Sequence, residues 1–309
     1  MPELDQIAAP PTLILADCIQ WMAEQPENSI DCIVTSPPYN LGADYRIYGD
    51  SRPQQEYLDW LDHVFKELHR ILRPDGHFFL NVGYSNRAPW ISMDVSNVAR
   101  RHFSLQNRIV WVKSVTIGEQ THGHFKPINS NRYVTPTNED VFHFTKGAGT
   151  RVAKLAVGVP YQDKSNLQKG KRARGRIVKK MGFENYRDFN ARASAQEHRA
   201  MTQELNERMA KIGSAPDLRC RGSTWFIPYP TIGNRARQRG QHPATFPIEL
   251  PKMCMNLAGL GANSVVYDPF VGTGSTLVAA LQLGLKGIGT DIDGDYLTWA
   301  RKRLGLAEK

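Results

Sequence analysis

Residues 264–276 read Ser-Val-Val-Tyr-Asp-Pro-Phe-Val-Gly-Thr-Gly-Ser-Thr, and the apolar stretch Leu277–Leu283 follows them. A β-branched apolar run, a glycine-rich turn and a helix-like stretch in succession spell strand, tight turn, helix. Gly272 and Gly274 allow the backbone to approach a ligand closely. Residues 287–292, Gly-Ile-Gly-Thr-Asp-Ile, read as a second strand ending at Asp291. That acid falls about 20 residues past the glycines, where a unit of this kind sets a carboxylate for ribose hydroxyls. The pattern is not the G-x-G-x-x-G of a dinucleotide fold. Asp268 at the strand end would repel a pyrophosphate but suits a ligand with an ammonium group. The chain is thereby committed to an α/β fold with its ligands at the carboxyl ends of the strands.

A second segment adds different chemistry. The apolar run Asp31-Cys32-Ile33-Val34 ends in Thr35-Ser36-Pro37-Pro38-Tyr39-Asn40. Each proline lacks a backbone donor and has φ fixed, so the carbonyls before and between them join neither a helix nor a regular ladder. They stand free to accept hydrogen bonds. Ser36 adds a side-chain oxygen and Tyr39 a flat π-face. An acceptor pair beside a stacking face suits a planar ring with an exocyclic NH2 group.

In these segments the chain resembles the bacterial DNA amino-methyltransferases of the β arrangement, in which the catalytic segment precedes the S-adenosylmethionine (AdoMet) segment. Thr35–Asn40 resembles the family's catalytic motif, Asp268–Thr276 its AdoMet loop and Gly287–Asp291 its ribose strand. His242-Pro243-Ala244-Thr245-Phe246-Pro247 resembles the segment over the methionine end of the cofactor. Leu13–Asp17 resembles the strand whose terminal acid lies near the adenine, and Asn138–Lys146 the last sheet strand. The resemblance implies catalytic roles for Ser36, Pro37, Pro38 and Tyr39. It implies cofactor roles for Asp17, Thr35, His242, Phe246, Pro247, Asp268, Pro269, Phe270, Gly272, Gly274, Thr276 and Asp291. AdoMet suits the acids, with an amino acid at one end and ribose and adenine at the other.

The rest of the sequence is consistent with an AdoMet-dependent methyltransferase fold: a mostly parallel twisted sheet with helices on both faces and a permuted motif order. Strands are expected at Leu13–Asp17, Asp31–Ser36, His77–Val82, Arg108–Lys113, Asp140–Lys146, Val265–Asp268 and Gly287–Asp291. Gln54–Leu72 is an amphipathic helix whose stripe, including Tyr57, Trp60, Leu61 and Phe65, reads as core. Arg73-Pro74-Asp75-Gly76 reads as the turn ending it, Pro247–Gly259 as a helix before the AdoMet strand, and Gly118–Arg132 as a flexible loop beside the target pocket.

Charge is unevenly placed. Residues 146–240 hold 21 Lys+Arg against seven Asp+Glu, in a chain whose net charge is +9. The chain therefore divides into a catalytic half (1–146), a basic insert (147–240) and an AdoMet-binding half (241–309). Basic runs bind phosphates and steer association. Lys169, Lys171, Arg172, Arg174 and Arg176, with Arg235, Arg237 and Arg239, are the candidate DNA contacts; a small helical module is expected near 184–212. Four cysteines without CxxC spacing indicate neither zinc nor a disulfide framework, and read as small buried residues. No metal site is expected. No signal pattern or apolar run of about 18 residues is present, so a cytoplasmic protein without membrane contact is expected.

The exocyclic amine of a base is a poor nucleophile because its lone pair is delocalised into the ring. Hydrogen bonds from its N–H groups to Ser36 Oγ and the Pro37 carbonyl would favour a tetrahedral nitrogen, with Tyr39 stacked on a base flipped from the duplex. No metal or covalent intermediate is required. Serine at the first motif position accompanies cytosine N4 in this family and aspartate adenine N6, so N4-cytosine is expected and N6-adenine stays open. RNA or protein amino methylation, and a non-catalytic DNA-binding protein of the same fold, are the other classes. The resemblance admits double-stranded DNA, a homodimer and a cognate restriction endonuclease as partners.

Overall fold

A computed structural model describes residues 10–124, 128–161, 168–212, 218–228 and 245–306. The expectations for His242, Arg235, Arg237 and Arg239 lie outside these residues. Chain contacts divide the protein into two compact units, Met1–Ala156 with Gly222–Lys309, and Val157–Arg221.

The first unit is built on strands β1 (Thr12–Leu15), β2 (Ile30–Thr35), β3 (Leu72–Val82), β4 (Ser104–Val112), β5 (Ser114–Ile117), β6 (Gln120–Gly123) and β7 (Asn138–Thr145). The second unit holds β8 (Val159–Pro160) and β9 (Leu218–Arg219), after which β10 (Thr224–Phe226), β11 (Val265–Asp268) and β12 (Lys286–Asp291) return to the first. Among the described residues the main sheet has eight strands in the order β1-β12-β11-β2-β3-β7-β4-β10. Only β7 runs antiparallel to its neighbours. Every expected strand is present within a few residues.

Helix α1 (Cys18–Ala23) follows β1, and Asp17 caps it by accepting from Ile19 N at 2.9 Å and Gln20 N at 3.2 Å. Helix α2 (Gln54–Ile71) buries Tyr57, Leu61, Val64, Phe65, Leu68 and Ile71 completely. Helix α3 (Ile91–Ala99) adds Val95 and Val98 to the same core. Burying each such side chain contributes about 1.5–3 kcal/mol before entropy. On the other flank, α8 (Ser275–Gln282) packs against β11 and β12, α9 (Gly294–Arg303) against β1 and β12, and α7 (Glu249–Ala258) against α8 and β2. Gly289 on β12 is required by this packing, since a Cβ there would lie 2.6 Å from both Leu277 Cδ1 and Val271 Cγ2.

Three expectations change. Residues 73–76 do not end α2 in a free turn. Ile30 pairs with Leu72 and Cys32 with His77, so the Arg-Pro-Asp-Gly sequence forms a wide bulge inside β3. Part of the expected loop 118–132 is instead the hairpin β5–β6, with Ile117 opposite Gln120. Three cysteines are buried as expected, but Cys220 is exposed.

The unit Val157–Arg221 contains α4 (Gln168–Lys180), α5 (Tyr186–Arg192) and α6 (Ala195–Ile212). Ile177, Val178, Phe189 and Met201 form its own small core. The unit begins and ends inside the insert expected over 147–240, because β10 belongs to the main sheet.

Candidate active site

The two chemical segments become neighbours because β2 and β11 pair in parallel, Cys32 opposite Val266 and Ile33 opposite Tyr267. Both strands then end at the same edge of the sheet. The join is direct: Thr35 Oγ1 donates to Asp268 Oδ1 at 2.6 Å, and Thr276 Oγ1 to Asp268 Oδ2 at 2.6 Å. Phe270 N also donates to Asp268, at 3.1 Å. Asp268 is buried, and burial raises its pKa to about 6 against the lowering effect of those three donors.

The turn after β11 is pinned from several sides. Gly274 adopts φ +83°, the left-handed region that glycine tolerates, and caps α8. Arg303 donates to the Thr273 carbonyl at 2.7 Å, and Thr290 Oγ1 to the Pro269 carbonyl at 3.0 Å. Asp291 accepts from Gly272 N and from Asp293 N, each at 2.9 Å, and burial raises its pKa. The carboxylate thus holds the loop and faces the cleft with its remaining lone pairs.

One cleft runs along this edge. Asp17, Asp291 and Ile292 line one end, Phe246, Pro269 and Phe270 its wall, and Ser36, Pro37, Pro38 and Tyr39 the other end. Asp268 and Gly272 line it as well. Thr35, Thr276, Gly274 and Pro247 do not. Thr35 and Thr276 instead bond Asp268, and Gly274 caps α8 in the turn. Phe246 is anchored where Ser275 Oγ donates to its carbonyl at 3.0 Å.

At the Ser36–Tyr39 end, Tyr57 OH donates to the Pro38 carbonyl at 2.6 Å. Among the described residues the Pro37 carbonyl accepts nothing. Ser36 Oγ lies 2.7 Å from Tyr39 OH. Tyr39 OH donates to Glu139 Oε2 at 3.2 Å, and Lys113 Nζ bonds Glu139 Oε1 at 2.8 Å. Asn81 Nδ2 donates to Tyr39 OH at 2.7 Å and to Glu139 Oε2 at 2.8 Å. Asn81 Oδ1 is buried without a partner among the described residues.

Several of these residues carry weak signals in the sequence. Asn81 is the lone amide in the run Phe78–Val82, and Glu139 precedes the apolar part of β7. Nothing in the sequence says that β7 runs backwards, which is what brings its first residues to the site. Trp60, expected as core, lines the cleft and packs against Phe270 at 5.5 Å and Tyr48 at 5.8 Å. Arg52 lies 4.8 Å over the Tyr48 ring, also in the cleft lining.

The donor set fits AdoMet. Carboxylates at the strand ends match ribose hydroxyls and a cationic ligand, and the Phe270, Tyr48 and Trp60 rings match an apolar heterocycle. Such a cleft beside a Ser-Pro-Pro-Tyr rim, at the carboxyl edge of a mostly parallel sheet, defines an AdoMet-dependent amino-methyltransferase.

The chain belongs to the N6/N4 DNA methylase family, whose model matches residues 30–302. It is 24% identical to the DNA adenine methyltransferase YhdJ of Escherichia coli K12, over 96% of this chain and 83% of that protein. It is also 24% identical to the type II methyltransferase M.BglII from Bacillus subtilis, over 91% of this chain, and spans only 65% of that relative's length. Among solved structures, the cytosine-N4-specific PvuII DNA methyltransferase superposes with a TM-score of 0.59 at 17% identity, over 98% and 88% of the two chains. A putative DNA modification methylase from Thermus thermophilus, complexed with S-adenosyl-L-methionine, gives 0.55 at 22% identity, over 96% and 93%. Among the described residues no helix is long and apolar enough to cross a membrane.

Proposed function

We propose that the protein methylates the exocyclic N4 of cytosine in double-stranded DNA, the base being flipped into the cleft beside Tyr39. Serine at position 36 carries this reading. The Pro37 carbonyl, which accepts nothing among the described residues, and Ser36 Oγ supply two acceptors for the N–H groups of the target amine. Drawing those hydrogens out of the ring plane returns the lone pair to nitrogen. AdoMet supplies an activated methyl group on a sulfonium, so alignment is the main demand on the protein. Tyr57, by engaging the Pro38 carbonyl, holds the rim in place.

Target recognition falls to the basic helix α4, which includes Lys169. Lys171, Arg172 and Arg176 are exposed on it, opposite the buried Ala173, Ile177 and Val178. Arg174 is half-buried and lies 5.0 Å over the Tyr186 ring, which leaves it less available to phosphates. A companion endonuclease that cuts the same DNA sequence is part of this proposal, in keeping with the likeness to a protein named as a type II methyltransferase.

Adenine N6 is the second reading, favoured by the likeness to an enzyme titled DNA adenine methyltransferase. Incubation with unmethylated DNA and labelled AdoMet, digestion to nucleosides and mass spectrometry decides between them. N4-methylcytosine is expected. N6-methyladenine would overturn the base assignment and leave the cleft's chemistry in place.

A further inference from the structure

The Ser36 hydroxyl is ambiguous by itself, with one hydrogen to donate and lone pairs to accept. If that hydrogen pointed into the pocket it would oppose an incoming amine N–H. Three neighbours remove the ambiguity. The Glu139 carboxylate takes bonds from Lys113 Nζ at 2.8 Å, Asn81 Nδ2 at 2.8 Å and Tyr39 OH at 3.2 Å. A carboxylate accepts only, so the Asn81 amide must turn its nitrogen towards it. That nitrogen also donates to Tyr39 oxygen, at 2.7 Å. Tyr39 has a single hydroxyl hydrogen. A bond to a carboxylate is stronger than one to a neutral hydroxyl, so the hydrogen goes to Glu139. The 2.7 Å contact between Ser36 Oγ and Tyr39 OH must then use the hydrogen of Ser36. Ser36 is left facing the cleft with lone pairs alone.

We propose that Glu139, acting through Tyr39, is the positioning residue that makes Ser36 an obligate hydrogen-bond acceptor for the target amine. The proposal rests on the amino-methyltransfer reading above and adds the device that polarises its first catalytic contact. Lys113 partners the charge of Glu139 in a pair only 18% and 12% exposed, so the carboxylate stays in one place. The network gives a neutral serine the hydrogen-bond polarity of an aspartate. Ser36 then differs from an aspartate at that position in charge and size alone.

Glu139→Gln would reverse the chain. Its amide can donate to Tyr39 oxygen, the Tyr39 hydrogen can turn to Ser36, and the Ser36 hydrogen can turn into the pocket. The test is single-turnover methylation of duplex DNA by wild type, Glu139→Gln, Tyr39→Phe and the double variant, with AdoMet affinity measured for each. Glu139→Gln should slow transfer about tenfold or more, the loss of one oriented hydrogen bond, with AdoMet affinity unchanged. In the Tyr39→Phe background the same substitution should add less than about twofold, because the link is already cut. A wild-type rate for Glu139→Gln overturns the proposal, as does equal slowing in both backgrounds. Should Glu139→Gln not fold, Tyr39→Phe decides the matter, since it keeps the ring and loses the link, and a wild-type rate for it overturns the proposal. Wild-type protein that transfers no label to a base amine would instead end the reading on which the proposal stands.

Discussion

Asp268 sits buried between Thr35 and Thr276 and holds its charge at a cost. Its pKa of about 6 lies above the ordinary 3.8, so the folded protein binds a proton there that the unfolded chain releases. Stability from this group is therefore complete below pH 3.8 and is lost as pH rises through 6. Asp268→Asn removes the charge and keeps the shape. Its oxygen can accept from Thr35, and Thr276 can turn its hydrogen to the Val34 carbonyl, 3.3 Å away. The variant should gain stability relative to wild type as pH rises from 4 to 7, by about 1–3 kcal/mol in all. Urea midpoints at both pH values measure this, and a constant difference between the two proteins would refute it. AdoMet affinity should fall in the same variant, because the cationic ligand loses a nearby carboxylate.

At the scale of elements, legibility followed periodicity and chain order. Strands β2, β11 and β12 could be read because each apolar run stops at residues that strand interiors disfavour: Pro37 and Pro38 just past Thr35, Asp268, and Asp291. Helix α2 could be read from its stripe, yet the stripe does not say which of its core-packed residues also line the cleft, and Trp60 does. The hairpin β5–β6 was missed because Ser114–Gly123 lacks apolar alternation and is mostly exposed. Glu139 and Asn81 were missed because their importance comes from strand direction and long-range pairing. The segment 40–52 was also silent in the sequence. Asp50 ties it together by accepting from Asn40 N at 2.8 Å, Leu41 N at 3.0 Å and Ala43 N at 2.9 Å. Arg46 then latches it to Asp293, at 3.3 Å, and to Asp295 at the start of α9. Tyr45, Ile47 and Tyr48 lie against the cleft between these two fixings. Arg46→Ala should leave the fold intact and speed AdoMet dissociation by about two- to fivefold, a partly exposed ion pair being worth about 1 kcal/mol. Stopped-flow release measures it, and an unchanged rate would show that the segment does not restrain the ligand.

Across the whole molecule, charge is unevenly distributed along the chain. The cleft is lined by Asp17, Asp268, Asp291 and Glu139, which suits a cationic cofactor, whereas the basic excess lies between residues 146 and 240. A polyanionic duplex would be repelled by the first set and drawn by the second, so the same chain can attract DNA without drawing phosphates into the cofactor site. The difference in charge predicts independent behaviour. Lys171, Arg172 and Arg176 project from α4 away from the core formed by Ile177, Val178, Phe189 and Met201, so changing them does not unpack that unit. Replacing all three by glutamine should weaken duplex binding and reduce the slope of log K against log salt by up to about 3, roughly 0.9 for each phosphate no longer neutralised. AdoMet affinity should not move. Fluorescence titrations of labelled duplex at several salt concentrations, beside calorimetric titration of AdoMet, read both quantities. An unchanged salt slope would place the phosphate contacts elsewhere in the chain, and a loss of AdoMet binding would show that the unit's charge acts on the cleft after all.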